Sequence, residues 1–237
     1  MHPRIKIREL KEIDLQEGYL IDGFPSLGFS SAIAGESMVN TTKFELAGII
    51  DSDFFPPVSI VRDSSPQYPA RLLVNNDLKV GVFLSLLTPD ESLHRSIAKT
   101  MLKWAKKHRI SLIISTAPVK SKSELDKIAG IGSTPYATTK IKEAKVSILK
   151  NGTVPGIPGM LLNEGMLSDQ NVVVILYHTS GEGPDFKSSA QLCSTIGRIV
   201  PGVSCDISSL QLEAKKAETK IKQTEEETRT LRRSMYR

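Results

Sequence analysis

Met235, Tyr236 and Arg237 place a thioether, a phenol and a carboxylate side by side at the end of a charged segment that lacks glycine and proline from Ile207 onward. That set of groups suits insertion into a pocket on another protein. The ring offers apolar contact, the phenol a hydrogen bond, and the carboxylate a charge for a partner lysine. Elsewhere the residues able to do chemistry stand apart. His94, His108 and His178 have no metal-type pairing, no Gly-x-Ser-x-Gly elbow is present, and Ser30 and Ser31 sit at an expected helix start. Cys193 and Cys205 lack a metal or redox spacing, and small buried thiols are favoured over a disulfide. The turn Gly23-Phe24-Pro25-Ser26-Leu27-Gly28-Phe29 could aim backbone N–H groups at an anion through Ser26 and Gly28. Its glycine spacing fits neither the dinucleotide fingerprint nor the P-loop, so a plain strand-to-helix turn is favoured. Asp185 reads as a helix cap ahead of a catalytic carboxylate. No catalytic assembly, metal site or cofactor site emerges.

The elements that would carry these residues alternate strand and helix, which predicts an α/β fold with much of its sheet parallel. Strands are expected at 19–24, 44–50, 58–61, 71–74, 78–84, 111–115 and 171–176. The pair 71–74 and 78–84 flanks Asn75-Asn76-Asp77, good hairpin-turn chemistry. Helices are expected from 28 or 29 to 40 with Ser26 as a cap, near 158–167, and over 185–198. The clearest helix follows Thr88-Pro89-Asp90-Glu91, with Thr88 as the cap. Leu93, Ile97, Met101, Trp104 and Ala105 then share one face. Arg95, Lys99, Lys103, Lys106 and Lys107 share the other, which reads as a solvated surface before it reads as a nucleic-acid interface.

Composition changes near Val200-Pro201-Gly202. Beyond it Ile207, Leu210, Ala214, Ala217, Ile221, Thr224, Thr228, Leu231 and Met235 are spaced 3, 4, 3, 4 throughout, a heptad seam that predicts a weak coiled coil or a helix ordered by self-association. About 28 helical residues would project roughly 40 Å. The domain reading is therefore a body over 1–205 and a helical tail over 206–237. The chain carries 31 Lys and Arg against 26 Asp and Glu in 237 residues, a net +5. Eight basic and five acidic residues lie from Ser208 onward, leaving +2 for the body. So near-neutral a body makes nucleic acid an improbable partner. No apolar run reaches bilayer-spanning length and no secretory leader is evident, so residence in the cytoplasm is expected.

The patches Gly23-Phe24-Pro25-Ser26-Leu27-Gly28, Phe54-Phe55-Pro56-Pro57, Ile157-Pro158-Gly159-Met160-Leu161-Leu162 and Pro184-Asp185 with Ala190 resemble the proteasome assembly chaperone 2 family, most of all its archaeal members. The resemblance spans about 19–198. It departs from the family at Ser115-Thr116-Ala117-Pro118, where a glycine often follows a central strand, which argues against a pocket at that strand end. The resemblance implies a three-layer α/β/α body related in fold to purine nucleoside phosphorylases, without an established enzymatic role. It also implies docking of a hydrophobic–tyrosine–any tail, matched here by Met235, Tyr236 and Arg237, into pockets of the proteasome α-ring. The leading expectation is a non-enzymatic assembly chaperone or core-particle activator that self-associates. The rival is a phosphorylase-like enzyme acting on a nucleoside or phosphorylated metabolite, needing an anion nest near Gly28 and an acid such as Asp22, Asp51 or Glu164.

Overall fold

The computed structural model describes residues 5–119, 128–179 and 183–214. In chain order the elements are β1 (Lys6–Glu9), β2 (Tyr19–Gly23), a short 3-10 turn (Leu27–Phe29), α1 (Ser30–Thr41), β3 (Glu45–Asp51), β4 (Ile60–Arg62), β5 (Ser65–Gln67), β6 (Ala70–Asn75) and β7 (Val80–Ser85). They continue as α2 (Glu91–Lys107), β8 (Leu112–Val119), β9 (Ala129–Gly132), α3 (Pro135–Glu143), β10 (Ser147–Ile148), α4 (Gly156–Leu167), β11 (Val172–His178) and α5 (Phe186–Ile199).

Nine strands form one sheet in the order β1-β3-β6-β7-β2-β8-β11-β9-β10. Its centre, β7-β2-β8-β11, is parallel. These are the near-continuous apolar runs VGVFLS, YLIDG, LIISTAPV and VVVILYH, the pattern of strands covered on both faces. On the flanks β6 on β7, β3 on β6, β1 on β3 and β9 on β11 are antiparallel, and the short edge strand β10 pairs parallel with β9. The expected hairpin is present, but Leu78 belongs to its turn, where its N–H donates to Asn75 Oδ1 at 3.0 Å. The run expected as a strand at 58–61 contributes only Ile60–Arg62, paired with β5 in a small separate sheet. Gly18, just before β2, is required by close approach: a Cβ there would lie 1.9 Å from the Lys79 carbonyl oxygen.

Two apolar layers sandwich the large sheet. On one face Ala34, Met38 and Val39 of α1 join Ile141 of α3 and Leu192 and Ile196 of α5 over Ile21, Ile114 and Ile175. On the other, Leu93, Ile97, Met101 and Trp104 of α2 meet Ile157 and Leu161 of α4 over Leu20, Phe83 and Ile113. The result is a three-layer α/β/α arrangement. Helix α2 buries the stripe its periodicity predicts, but its cap is Asp90, whose side chain accepts from Ser92 N–H at 2.9 Å. Asp90 has extended backbone, which puts Pro89 and Thr88 outside the helix. Glu9 of β1 fixes α2 to the sheet edge by accepting from Trp104 Nε1 at 3.0 Å and Lys107 Nζ at 2.8 Å, with His108 Nε2 at 2.9 Å. Partial burial pushes the Glu9 carboxyl upward, but the bonds from Lys107, His108 and Trp104 outweigh it and hold it below the usual carboxylate range.

The cysteines correct the sequence reading. Cys193 of α5 and Cys205 form a disulfide, with Cα atoms 6.0 Å apart. Helix α5 ends at Ile199, and the turn through Gly202 (φ +81°) folds the chain back along the helix, a step invisible in the spacing of the two cysteines. The bond closes a short loop, so its removal is expected to cost roughly 3 kcal/mol. Cys193→Ser with Cys205→Ser, or reduction of the native chain, should lower the thermal midpoint accordingly. An unchanged midpoint would show that the loop is already held by its packing.

Candidate functional site

Parallel strands all point their carboxyl ends to one edge of a sheet, where the connecting loops diverge and leave a crevice. Here that crevice lies beyond β2 and β8, between the N-terminal halves of α2 and α4, with a volume of about 730 Å³. Asp22 and Thr116 come from the strands, Ser26 from the turn, His94 and Arg95 from α2, and Gly156 and Ile157 from the start of α4. Thr116 and Pro118 line it, so the Ser115-Thr116-Ala117-Pro118 departure does not close the strand end.

Asp22 is 5% exposed. Its Oδ1 accepts from Phe24 N–H at 3.1 Å and its Oδ2 from the Ser115 hydroxyl at 2.6 Å. Burial dominates its titration and pushes the carboxyl up from 3.8 to about 6, and the two hydrogen bonds oppose that only in part. Beside it, hydroxyls form a chain. Thr116 Oγ1 and Ser31 Oγ are 2.6 Å apart, Ser31 and Ser26 2.8 Å, and Ser26 and the Tyr177 phenol 2.6 Å, while Tyr177 also donates to the Leu27 carbonyl at 3.2 Å. This chain ties the start of α1 to β8 and β11. Burial raises the Tyr177 phenol above its usual range, so it stays a donor at neutral pH.

Ser26 therefore spends its hydroxyl on Ser31 and Tyr177, and makes no side-chain cap bond. Gly28 faces away from the crevice toward α5. It adopts φ +73°, and a Cβ there would lie 2.6 Å from Thr179 Oγ1 and 3.2 Å from Asp185 Cβ. Its carbonyl accepts from Asp185 N–H at 2.8 Å. Ser26 and Gly28 thus serve the packing of the turn and point in different directions. Asp185 caps α5 as expected, accepting from Ser188 N–H at 2.9 Å. Of the other acids weighed for an enzyme, Asp51 lies exposed on β3, three strands from β2, and Glu164 pairs with Arg95 at 3.2 Å and Lys99 at 3.5 Å. Sequence reasoning missed the Thr116–Ser31–Ser26–Tyr177 chain. Its members are up to 151 residues apart, and only the order of the strands brings them together.

The seam starts on the body. Residues 207–214 are helical, Leu210 is buried in the core layer of α1, α3 and α5, and Ile207 packs against that layer. Ile207 and Ala214 line a groove with Gln191 and Arg198 of α5. Ala217, Ile221, Thr224, Thr228, Leu231, Met235, Tyr236 and Arg237 lie outside the described residues. Among the described residues no group of three or more His, Cys, Asp or Glu is placed to hold a metal, and no helix is long and apolar enough to cross a membrane.

Comparison with known proteins adds the context. The chain is 25% identical to Pyrococcus furiosus PbaA, described as an archaeal homologue of proteasome-assembly chaperone. The match covers 99% of this chain and 97% of that one, with a TM-score of 0.83. It shares its fold with PbaB of the same organism, an archaeal proteasome activator, at 18% identity and a TM-score of 0.78 over 95% of this chain and 100% of that one. An uncharacterised protein of Methanocaldococcus jannaschii is 24% identical over 223 residues, 94% of this chain and 92% of the relative. The PAC2 family profile matches residues 20–225, and the chain belongs to that family.

Proposed function

We propose that this protein is a non-enzymatic partner of the proteasome core particle, acting as an assembly chaperone or an activator. The observation that carries the reading is family membership over 20–225, together with near-complete coverage of a structure described as a homologue of proteasome-assembly chaperone. In this reading Met235, Tyr236 and Arg237 dock into pockets between α-ring subunits. The ring of Tyr236 supplies apolar area, and the Arg237 carboxylate meets a basic group. The body self-associates and the seam from Ala217 to Leu231 holds several tails together, so weak single contacts sum to firm attachment. The basic bias beyond Ser208 favours an acidic docking surface.

Anchorage of the tail has support in the described residues. Leu210 and Ile207 fix the root of the helical segment to the body, and the Cys193–Cys205 bond lies just before it. A rigid root restricts where the tip can reach, which raises effective concentration at a fixed ring of pockets. Native mass spectrometry of the full chain mixed with archaeal core particles tests the proposal. A complex containing several copies of the chain supports it, and two separate species at micromolar concentrations refute it.

A further inference from the structure

The crevice floor carries a buried carboxylate, Asp22, that no basic side chain among the described residues pairs with. A carboxylate has about four acceptor positions. Asp22 uses one for Phe24 N–H and one for the Ser115 hydroxyl, both neutral donors. Among the described residues no lysine, arginine or histidine pairs with it. The other acidic and basic side chains lining the crevice are Glu91, His94 and Arg95 of α2, and Arg95 pairs with Glu164. Helix α4 contributes no charged side chain to the lining, and β8 offers only the Thr116 hydroxyl, already engaged by Ser31. The walls are apolar, from Phe24, Leu27, Val154, Ile157 and Met160.

We propose that this crevice binds a small organic cation, an ammonium group on an apolar body, with the ammonium seated on Asp22 and the body against Phe24, Ile157 and Met160. The volume of about 730 Å³ suits a drug-sized molecule. An ammonium supplies both missing elements, a countercharge and donors for the unused lone pairs. An anion would bring a second negative charge next to a buried carboxylate. Burial raises the Asp22 carboxyl to about 6, so at neutral pH it is largely ionised and able to receive a cation.

The test uses the full chain and phenethylamine as the probe, with 2-phenylethanol and phenylacetate as neutral and anionic matches, each followed by NMR titration. Phenethylamine should saturate in the millimolar range or tighter, and both matches should bind at least about tenfold more weakly. From pH 7 to pH 5 the amine should lose about tenfold in affinity as Asp22 takes up a proton, and His94→Gln should keep that loss. Asp22→Asn should erase the preference for the amine, and Met160→Trp should exclude all three probes while leaving Asp22 in place. Removing Met235 to Arg237 should change none of this, which separates the site from proteasome docking. Equal binding of amine and alcohol, stronger binding of phenylacetate, an Asp22→Asn chain that binds the amine unchanged, or no saturation by about 20 mM would each overturn the assignment.

Discussion

Deleting Met235, Tyr236 and Arg237 is expected to reduce association with the proteasome core particle by roughly a hundredfold or more. The size of the effect follows from multivalency. When each copy in an assembly contributes one weak contact, the loss repeats at every pocket, and avidity falls as a product. Within the tripeptide Tyr236 should dominate, because a buried aromatic with a hydrogen-bonding tip is the usual energetic centre of a small interface. Tyr236→Ala should therefore approach the deletion, Tyr236→Phe should lose only the share due to the hydroxyl, and Met235→Ala should have the smallest effect. Circular dichroism of each variant should match the parent, since the body core is built from residues up to Leu210. Pull-down on core particles with salt varied from low to physiological checks the series. A deletion that binds as well as the parent would move the contact to the body.

Asp22→Asn is expected to remove one pH-dependent contribution to the stability of the fold. The carboxyl is raised from 3.8 to about 6 by burial, so between those values the folded chain holds a proton that the unfolded chain has released. Stability from this group is full below about pH 4, declines as pH rises toward 6, and is level above that. A shift of about two pH units corresponds to about 3 kcal/mol. Asparagine has nearly the same shape and can still accept from Phe24 N–H, but carries no charge to bury. The difference in unfolding free energy, variant minus parent, should thus grow by up to about 3 kcal/mol from pH 4 to pH 7. Taking the difference removes the shared contributions of Glu9, Asp14, Glu45 and Asp90, whose carboxyls lie below their ordinary values and act in the opposite sense. Chemical denaturation at several pH values measures it. A flat difference would mean that solvent reaches Asp22 well enough to screen it.

Elements with a strong period or a continuous apolar run were legible in the sequence. Helix α2 shows its buried stripe in the spacing of Leu93, Ile97, Met101 and Trp104, and β8 and β11 are near-continuous apolar strands. Elements held by their neighbours were not. β9 is AGIG, with little strand preference of its own, and exists because β11 pairs along its length. β10 has two residues, β1 sits at the edge, and α3 is nine residues capped by Thr134. The cysteine pair failed for a different reason, since a separation of 12 residues says nothing until the turn at Gly202 reverses the chain. In the site, Asp22 was visible as an acid at a strand end. Its isolation from any cation was not, because that depends on where α2 sends Arg95. The turn at Ser26 and Gly28 was located correctly, and the direction of its groups had to come from α5 and Tyr177.

In the proposed docking, a terminal carboxylate enters the pocket together with the phenol beside it. Adding three glycines after Arg237 keeps every residue of the chain and only moves that charge outward by about 10 Å. Affinity for the core particle, measured by surface plasmon resonance on immobilised particles, should fall nearly as far as in the tripeptide deletion. Binding of the extended chain at the strength of the parent would contradict the docking account directly.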